Sequence, residues 1–301
     1  MTLEQIISVC RRRLDDEEEP YRWSDDDLCL FANEAEREAC RRAHLIIDKT
    51  TDAVCRQQVI AGNALYTLNA KIIRVRDCYI GPFVRGTLSW VAASRALVDT
   101  GNRFLTAGFQ AADRVVVSRF PSSGNNGLFS VESVTAGEMT VAETGMVDET
   151  VADIGVVEGS RRALVKRTSY DLNAEHPGWE QMVGDPRAFL QEEDRELRLV
   201  PIPREANTLR MVVSRLPVAD MALATRNTTT PEISEYHYDL LDWMCHLAYL
   251  KDDADTQDLP KAKQYEDGFT AKFGSRPTAR TEQFRKKYPR EIRVRYIPFG
   301  F

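Results

Sequence analysis

Residues 114–141 read RVVVSRFPSSGNNGLFSVESVTAGEMTV and decide the character of the middle of the chain. Apolar residues recur two positions apart at Val115 and Val117, Phe129 and Val131, and Met139 and Val141. The turn-forming segments SSGNNG and TAGE separate these pairs. Alternation with a period of two is typical of a half-buried β-strand, and Gly-Asn-Asn-Gly is typical of a turn between strands. The stretch therefore predicts a compact antiparallel unit of three or four strands.

The flanks of this unit predict that it is an insertion. Small residues and turn formers lie on both sides of it, at 99–102 and 143–155, and such exposed joints are where insertions are tolerated. We therefore expect the module to be peripheral and dispensable for the fold. Further β segments are predicted around Tyr66–Leu68 and Ile73–Val75 and at 162–170, 195–200 and 208–216.

Helical patterns lie on both sides of the β segments. Thr2-x-x-Gln5 is a capping-box pattern, and a second helix opens at Ser24 with three aspartates in its first turn. Further helices are predicted from Thr230-Pro231 and at 259–273. These patterns predict an α+β fold: a helical bundle built from N- and C-terminal helices, central antiparallel β segments, the inserted small β module and an extended C-terminal tail. The predicted domains are a core of 1–98 plus 156–275, the module at 99–155, and the tail at 276–301.

Composition narrows the class of protein. The 301 residues are 43% hydrophobic, which allows one large core or two modest ones. A net charge of −6 argues against general coating of nucleic acid, which needs a basic surface. The six cysteines form no C-x-x-C pair, and no apolar run is long enough for a signal peptide or a membrane span. We expect synthesis in a reducing cytoplasm and no membrane partner.

Motifs that carry chemistry are missing from the sequence. There is no glycine-rich phosphate loop, no G-x-S-x-G elbow and no H-E-x-x-H zinc motif. Asp242 and His246 could share a metal ion, but two ligands are too few, so we expect a partly buried histidine at a packing face. The carboxylate runs at 15–19 and 25–27 lack a calcium-loop pattern and predict a solvated acidic face. We predict no catalytic residue, no cofactor, no metal and no enzymatic activity.

Two aromatic features remain unexplained by these patterns. Trp179 lies between the turn signals Pro177-Gly178 and Gly184-Asp185-Pro186, so it is either an ordinary core residue or a loop residue that faces a partner. Residues 276–295 hold eight Arg or Lys against two Glu, and the chain then ends in Tyr296, Phe299 and Phe301. Burial of these rings against another molecule is the economical explanation, at about 2 kcal/mol per ring.

The order of features resembles tailed-bacteriophage head–tail adaptor (connector) proteins. It runs from W-S-D-D-D-L through A-G-N-A-L-Y-T-L, L-V-K-R-T-S-Y-D-L, H-P-G-W and G-D-P-R-A-F to L-R-L-V-P-I-P, T-L-R-M-V-V-S-R-L-P and Y-H-Y-D-L-L-D-W-M-C-H-L-A-Y-L-K-D-D. The resemblance covers about 1–80 and 156–280. It implies a structural virion protein at the head–tail junction. The resemblance further implies a ring, usually of twelve copies, that binds the portal and a tail or nozzle protein and extends the DNA channel without binding DNA specifically.

The resemblance also implies roles for the two aromatic features. The loop of Trp179, Pro177 and Pro186 is then expected at a subunit boundary or under the helical bundle. The portal interface is expected in the tail, at Arg290, Arg293, Arg295, Tyr296, Ile297, Phe299 and Phe301. Two alternatives stay open: a receptor- or glycan-binding tail component, which the β module suggests, and an enzyme of unrecognised type.

Overall fold

The computed structural model describes residues 1–192, 195–251 and 257–288, which hold eight α-helices and sixteen β-strands. The helices are α1 (Leu3–Leu14), α2 (Asp25–Ala43), α3 (Asp52–Cys55), α4 (Phe104–Ala107), α5 (Ser169–Glu175), α6 (Leu240–Leu250), α7 (Leu259–Phe273) and α8 (Ala279–Lys287). Strands β1 to β8 are Ile46–Asp48, Arg56–Val59, Leu65–Thr67, Ile72–Ile80, Phe83–Val91, Ala96–Asp99, Arg114–Ser118 and Gly127–Val134. Strands β9 to β16 are Glu138–Val141, Glu149–Gly159, Arg162–Lys166, Val183–Gly184, Ala188–Leu190, Glu196–Val200, Ile202–Pro203 and Asn207–Arg215.

The chain divides into two compact units, which we call the helical unit and the β unit. The helical unit consists of Met1–Asp48, Ala70–Arg74 and Val213–Glu282. The β unit consists of Lys49–Asn69, Val75–Val212 and the described residues from Gln283 onward. The helical unit thus joins two distant stretches of sequence, whereas most of the β unit comes from the stretch between them.

The helical unit has one apolar core, shared by α1, α2, α6 and α7. Its fully buried members include Leu3, Ile6, Leu28, Met244 and Phe269. Such residues recur at helical spacing along each helix, so each helix turns an apolar face inward. Full burial of each side chain contributes about 1.5–3 kcal/mol.

An eight-stranded sheet has the order β1-β16-β4-β11-β13-β14-β3, and β2 also pairs with β16. β4 and β11 are antiparallel neighbours, with Ile80 opposite Arg162. The chain leaves β4 at Gly81 and returns to β11 at Ser160. A Cβ atom on Gly81 would lie only 2.5 Å from the Ser160 carbonyl oxygen. The segment between these residues therefore begins and ends at neighbouring points.

This segment forms a closed barrel of six antiparallel strands in the order β10-β5-β6-β9-β8-β7. β10 pairs with β5 on one side and with β7 on the other, which closes the sheet and leaves no unpaired edge within the barrel. Trp90 lies in the core, with its ring centroid 5.0 Å from that of Phe129 and 6.4 Å from that of Phe120. Such aromatic contacts add to the stabilisation that comes from burial alone.

The Gly-Asn-Asn-Gly segment contributes a buried residue to the barrel. Asn125 is fully buried, and its amide donates to the Val147 carbonyl at 3.0 Å and to the Glu149 carboxylate at 2.7 Å. Its Oδ1 accepts the Val147 amide at 2.9 Å, and its own carbonyl accepts the Trp90 indole N–H at 3.1 Å. A residue expected only in a turn thus ties β5 to the segment before β10.

The predicted α+β class, with a helical bundle as the frame and a small inserted β module, is wrong. The described residues are mainly β-rich, with a closed six-stranded barrel and an eight-stranded sheet. β5 and β10 complete the barrel, but neither alternates strictly, and the register of β10 shifts between Val151 and Gly155. Their strand structure depends on pairing with distant residues, which a local period does not reveal.

The extended C-terminal tail is also corrected in its described part, because α8 occupies Ala279–Lys287. Its sequence ARTEQFRKK is rich in good helix formers, and the Thr278 hydroxyl accepts the Thr281 amide at 3.3 Å near the start. The division into a core of 1–98 plus 156–275, a module at 99–155 and a tail at 276–301 stays a prediction about which parts fold independently.

Candidate functional site

Trp179 begins a short 3-10 helix in the loop between α5 and β12, and it is only 4% exposed. It belongs to a small apolar cluster with Leu172, Ala188, Leu190 and Val200. Its indole N–H donates to the Asn173 side chain at 2.8 Å, and the Arg198 guanidinium lies 4.9 Å from the ring centre. The indole is therefore held by contacts within the β unit, and it gives the loop a rigid base.

The surface near this loop in sequence carries exposed apolar side chains. Tyr170 on α5 is 81% exposed, and Met182 and Val183 are 46% and 57% exposed. Of the two prolines, Pro177 is exposed and Pro186 is buried. A rigid base under exposed apolar groups suits contact with another protein. The role of Trp179, Pro177 and Pro186 at a subunit boundary stays a prediction.

The C-terminal segment is described only as far as Tyr288. Outside the described residues lie Arg290, Arg293, Arg295, Tyr296, Ile297, Phe299 and Phe301, so their predicted portal contacts stay untested. α8 itself carries four basic residues and one acidic residue. Next to them, the rings of Phe284 and Tyr288 are 4.3 Å apart and are 55% and 40% exposed. The described part of the segment thus combines positive charge with exposed aromatic surface.

The W-S-D-D-D-L motif forms a buried polar network in the helical unit. Arg11, which is 7% exposed, donates to the carboxylates of Asp16 at 2.6 Å and Asp25 at 2.7 Å and to the Trp23 carbonyl at 3.0 Å. The Trp23 indole donates to the Ala248 carbonyl at 3.2 Å. The bond from Arg11 lowers the pKa of Asp25 below its ordinary value, against the opposing effect of burial. The motif therefore links α1, α2 and α6, and its role is structural.

The side chains of the first acidic run and of the Asp242–His246 pair either face solvent or bind other groups of the chain. Glu17, Glu18 and Glu19 are exposed, in line with a solvated face, whereas Asp16 is buried in the Arg11 network. Asp242 pairs with Arg13 at 2.7 Å and Lys272 at 2.9 Å, and His246 Nδ1 bonds to the Ala262 carbonyl at 2.8 Å. No group of three or more potential metal ligands occurs in the described residues.

The cysteines and helices add two observations. All six cysteines are free and buried, and burial raises the pKa of Cys40 to about 12, so this thiol stays protonated near neutral pH. Among the described helices, none has the length and apolar character that crossing a bilayer requires.

A cleft of the β unit was not foreseen from the sequence. It has a volume of about 350 Å³, and we call it the arginine cleft, defined by Arg114, Val116, Leu128, Glu158, Arg161 and Arg210. These residues come from β7, β8, β10, β16 and the position just before β11, so no spacing along the chain brings them together. The sequence signal for the cleft was limited to polar residues at the ends of apolar strands. Such residues occur in many proteins, so they did not predict the cleft.

The chain matches a known protein family. The family model described as SU10 adaptor protein matches residues 1–141 and 131–295, two overlapping segments that together span nearly the whole sequence. The matched range includes the W-S-D-D-D-L network, the barrel and the Trp179 loop. No curated protein matches the chain.

Proposed function

The chain belongs to the SU10 adaptor protein family, a family of bacteriophage structural adaptors, and we propose that it forms a ring at the head–tail junction of the virion. The ring lies between the portal and a tail or nozzle protein and extends the DNA channel. By analogy with adaptors of this type it contains about twelve copies and catalyses no reaction. The observation that carries this proposal is the family match along residues 1–295.

The charge balance supports passage of DNA through the ring without specific binding. The chain carries a net charge of −6, and a predominantly acidic protein repels the phosphate backbone instead of releasing its counterions.

The Trp179 loop is the proposed contact between neighbouring subunits. A buried, hydrogen-bonded indole fixes the loop, so little conformational entropy is lost when a partner covers it. Tyr170, Met182 and Val183 supply exposed apolar surface close by in sequence. Aromatic side chains in such positions often dominate the binding energy of an interface.

The C-terminal segment, from about residue 276, is the proposed anchor to the portal. Its basic residues would accelerate the encounter with an acidic partner surface, and its aromatic residues would hold the complex. The helix α8 supports this division of roles in the described part, because it presents both kinds of side chain. The residues proposed to reach the portal include Arg290, Arg293, Arg295, Tyr296 and Phe301.

Native mass spectrometry of the chain mixed with its portal tests the ring. We expect about twelve copies on each portal ring, with twelvefold symmetry in negative-stain images. A stable complex with one copy per portal would contradict the proposal. A trimer that ignores the portal would instead favour the tail-component alternative.

Two truncations test the anchor. Ending the chain after Gly274 removes α8 and everything beyond it, whereas ending it after Tyr288 leaves α8 in place. We expect the shorter chain to stay folded and to lose portal binding. Comparison of the two truncated chains shows whether α8 is sufficient for portal binding. Unchanged affinity of the chain that ends at Gly274 would place the anchor elsewhere.

A further inference from the structure

Arg210 in the arginine cleft has hydrogen-bond donors without acceptors. Its side chain is 12% exposed, and one Nη donates to the Glu158 carboxylate at 2.5 Å. Its Nε and its other Nη are buried and have no partner in the described residues. The guanidinium carbon also lies 5.3 Å from the centre of the Phe83 ring, so Arg210 is held by one carboxylate and one aromatic face and keeps unused hydrogen-bonding capacity.

The cleft also carries more positive charge than it neutralises. Three arginines line it and Glu158 is its only carboxylate, which leaves an excess of two positive charges. Arg114 and Arg161 are exposed and make no ion pair within the part of the chain that the structure describes. The guanidinium fork of arginine matches a carboxylate with two parallel hydrogen bonds. The excess positive charge therefore favours an anionic ligand, and carboxylates are well suited to it.

The apolar rim of the cleft favours a protein segment over DNA. Val116 is 41% exposed and Leu128 is 50% exposed, and both lie beside the arginines. Arginine next to apolar surface is typical of protein–protein interfaces, whereas a phosphate backbone offers little that could cover apolar side chains. The fitting ligand is a peptide that carries both carboxylates and an apolar group.

One exposed segment of this chain has that chemistry. Residues 15–21 read DDEEEPY, and all of them except the buried Asp16 are exposed. Asp16 bonds to Arg11 and to the Arg22 amide, which holds the base of the segment. Glu17, Glu18 and Glu19 make no ion pair within the described residues, and Tyr21 is 43% exposed. We call residues 15–21 the acidic segment.

We infer that the arginine cleft binds the acidic segment of a second copy of this chain. This inference rests on the proposed ring, and it names one of its subunit contacts. Because the two surfaces are different patches, the contact is heterologous, which is the kind that generates a closed ring when the rotation fits. Carboxylates would meet Arg114, Arg161 and Arg210, while Pro20 and Tyr21 would cover Val116 and Leu128.

Charge reversal on each side tests the contact. The cleft variant is Arg114→Glu with Arg161→Glu, and the segment variant is Glu17→Lys, Glu18→Lys and Glu19→Lys. All of these side chains are exposed, and circular dichroism checks that both variants fold. Sedimentation velocity over a concentration series at low salt, with and without portal, should show self-association weakened at least tenfold in each variant.

The combined chain and a matched control complete this test. A chain that carries both reversals restores opposite charges across the contact, so we expect its self-association to return close to that of the unmodified chain. The control Arg119→Glu with Arg204→Glu makes the same charge change at exposed residues outside the cleft and should have little effect. Unchanged self-association in either reversed variant, failure of the combined chain to recover, or no self-association of the unmodified chain under any condition overturns the inference.

Disulfide trapping gives a second readout that does not depend on charge. The six native cysteines are buried, so Glu18→Cys combined with Leu128→Cys introduces the only exposed thiols among the described residues. Mild oxidation should produce a ladder of covalent oligomers, and Glu18→Cys with Ser133→Cys, which places the second thiol elsewhere on the barrel, should not. No ladder, or equal ladders, overturns the contact.

Portal binding and DNA binding separate this inference from its alternatives. If the chain self-associates and forms the ladder but does not bind portal, the contact stands and the proposed position in the virion fails. If the cleft variant loses binding to a duplex oligonucleotide while its self-association is unchanged, the cleft binds DNA and the inference fails.

Discussion

The barrel takes its strands from one uninterrupted stretch, from Phe83 to Gly159, whereas the helical unit assembles its core from residues before 49 and after 212. The barrel is closed by pairing β10 with both β5 and β7. In the helical unit, α1 and α2 meet α6 and α7 only after the intervening chain has folded back. Closing such a long loop costs conformational entropy. The helical unit therefore requires specific contacts between its N-terminal and C-terminal helices.

The polar residues of the two regions reflect this difference. In the helical unit, buried or partly buried charges join distant segments: Arg13 pairs with Asp242 at 2.7 Å, and Arg215 pairs with Asp48 at 2.6 Å. In the barrel, the fully buried Asn125 ties together neighbouring parts of one stretch. Buried polar contacts therefore specify long-range pairing in one region and local closure in the other.

The largest effect is expected from Arg11→Met in the helical unit. This change leaves Asp16, which is 3% exposed, without its cation, and breaking a buried ion pair costs about 3–5 kcal/mol. Hydrogen exchange should show faster opening of α1 and α2 while the barrel amides keep their protection. The matched control is Arg226→Met, whose side chain is 41% exposed and whose pairs with Glu4 and Asp25 should be worth about 0–1 kcal/mol. Equal losses in both variants would contradict a special role for the buried network.

A smaller effect is expected from Asn125→Ala in the barrel. The change leaves the partly buried Val147 amide and carbonyl without their side-chain partner, and loss of such bonds costs up to about 1–3 kcal/mol. Denaturation followed by hydrogen exchange should show the loss in the barrel alone. Ser133→Ala, which removes an exposed hydroxyl contact with Thr140, serves as the control and should change the unfolding free energy by less than about 0.5 kcal/mol.

Excision of the barrel tests whether the two regions fold independently. Because Gly81 and Ser160 lie side by side, a short Gly-Ser linker can replace residues 82–159 without stretching β4 or β11. We expect the helical unit to keep its helical circular dichroism and to lose no more than about 1 kcal/mol of stability. An insoluble product, or a melting temperature that falls sharply for the helices, would show that the barrel is part of the fold.

The smallest effect is expected from Glu36→Gln. Glu36 is 2% exposed, its Oε1 accepts the Ile233 amide at 3.1 Å, and burial raises its pKa above the ordinary value. A raised pKa in the folded state means that stability from this group is present below the ordinary pKa and is lost as pH rises through the raised value. Denaturation between pH 4 and pH 8 should therefore show the variant gaining about 1 kcal/mol or less over the unmodified chain as pH rises. Identical pH profiles of the two chains would contradict this expectation.

The sequence predicted local elements better than it predicted their assembly. Alternation at Val115 and Val117 predicted a strand where β7 lies, because the pattern depends only on neighbouring residues. The Trp179 loop shows the limit of such patterns. Its turn signals were visible, but the choice between core residue and partner surface depended on Asn173 and Arg198, which no spacing connects to Trp179. The arginine cleft could not be predicted from the sequence for the same reason.

What the sequence by itself determined is therefore local: where strands alternate, where helices are capped and which segments carry charge. These features depend on interactions between residues a few positions apart. The tertiary structure decided that β5 and β10 close a barrel, that Asp16 is buried while its neighbours are exposed, and that Arg114 and Arg210 share one cleft. Each of these outcomes depends on pairing between distant residues. The free energy of such pairing depends on the whole fold, so it produces no periodic pattern in the sequence.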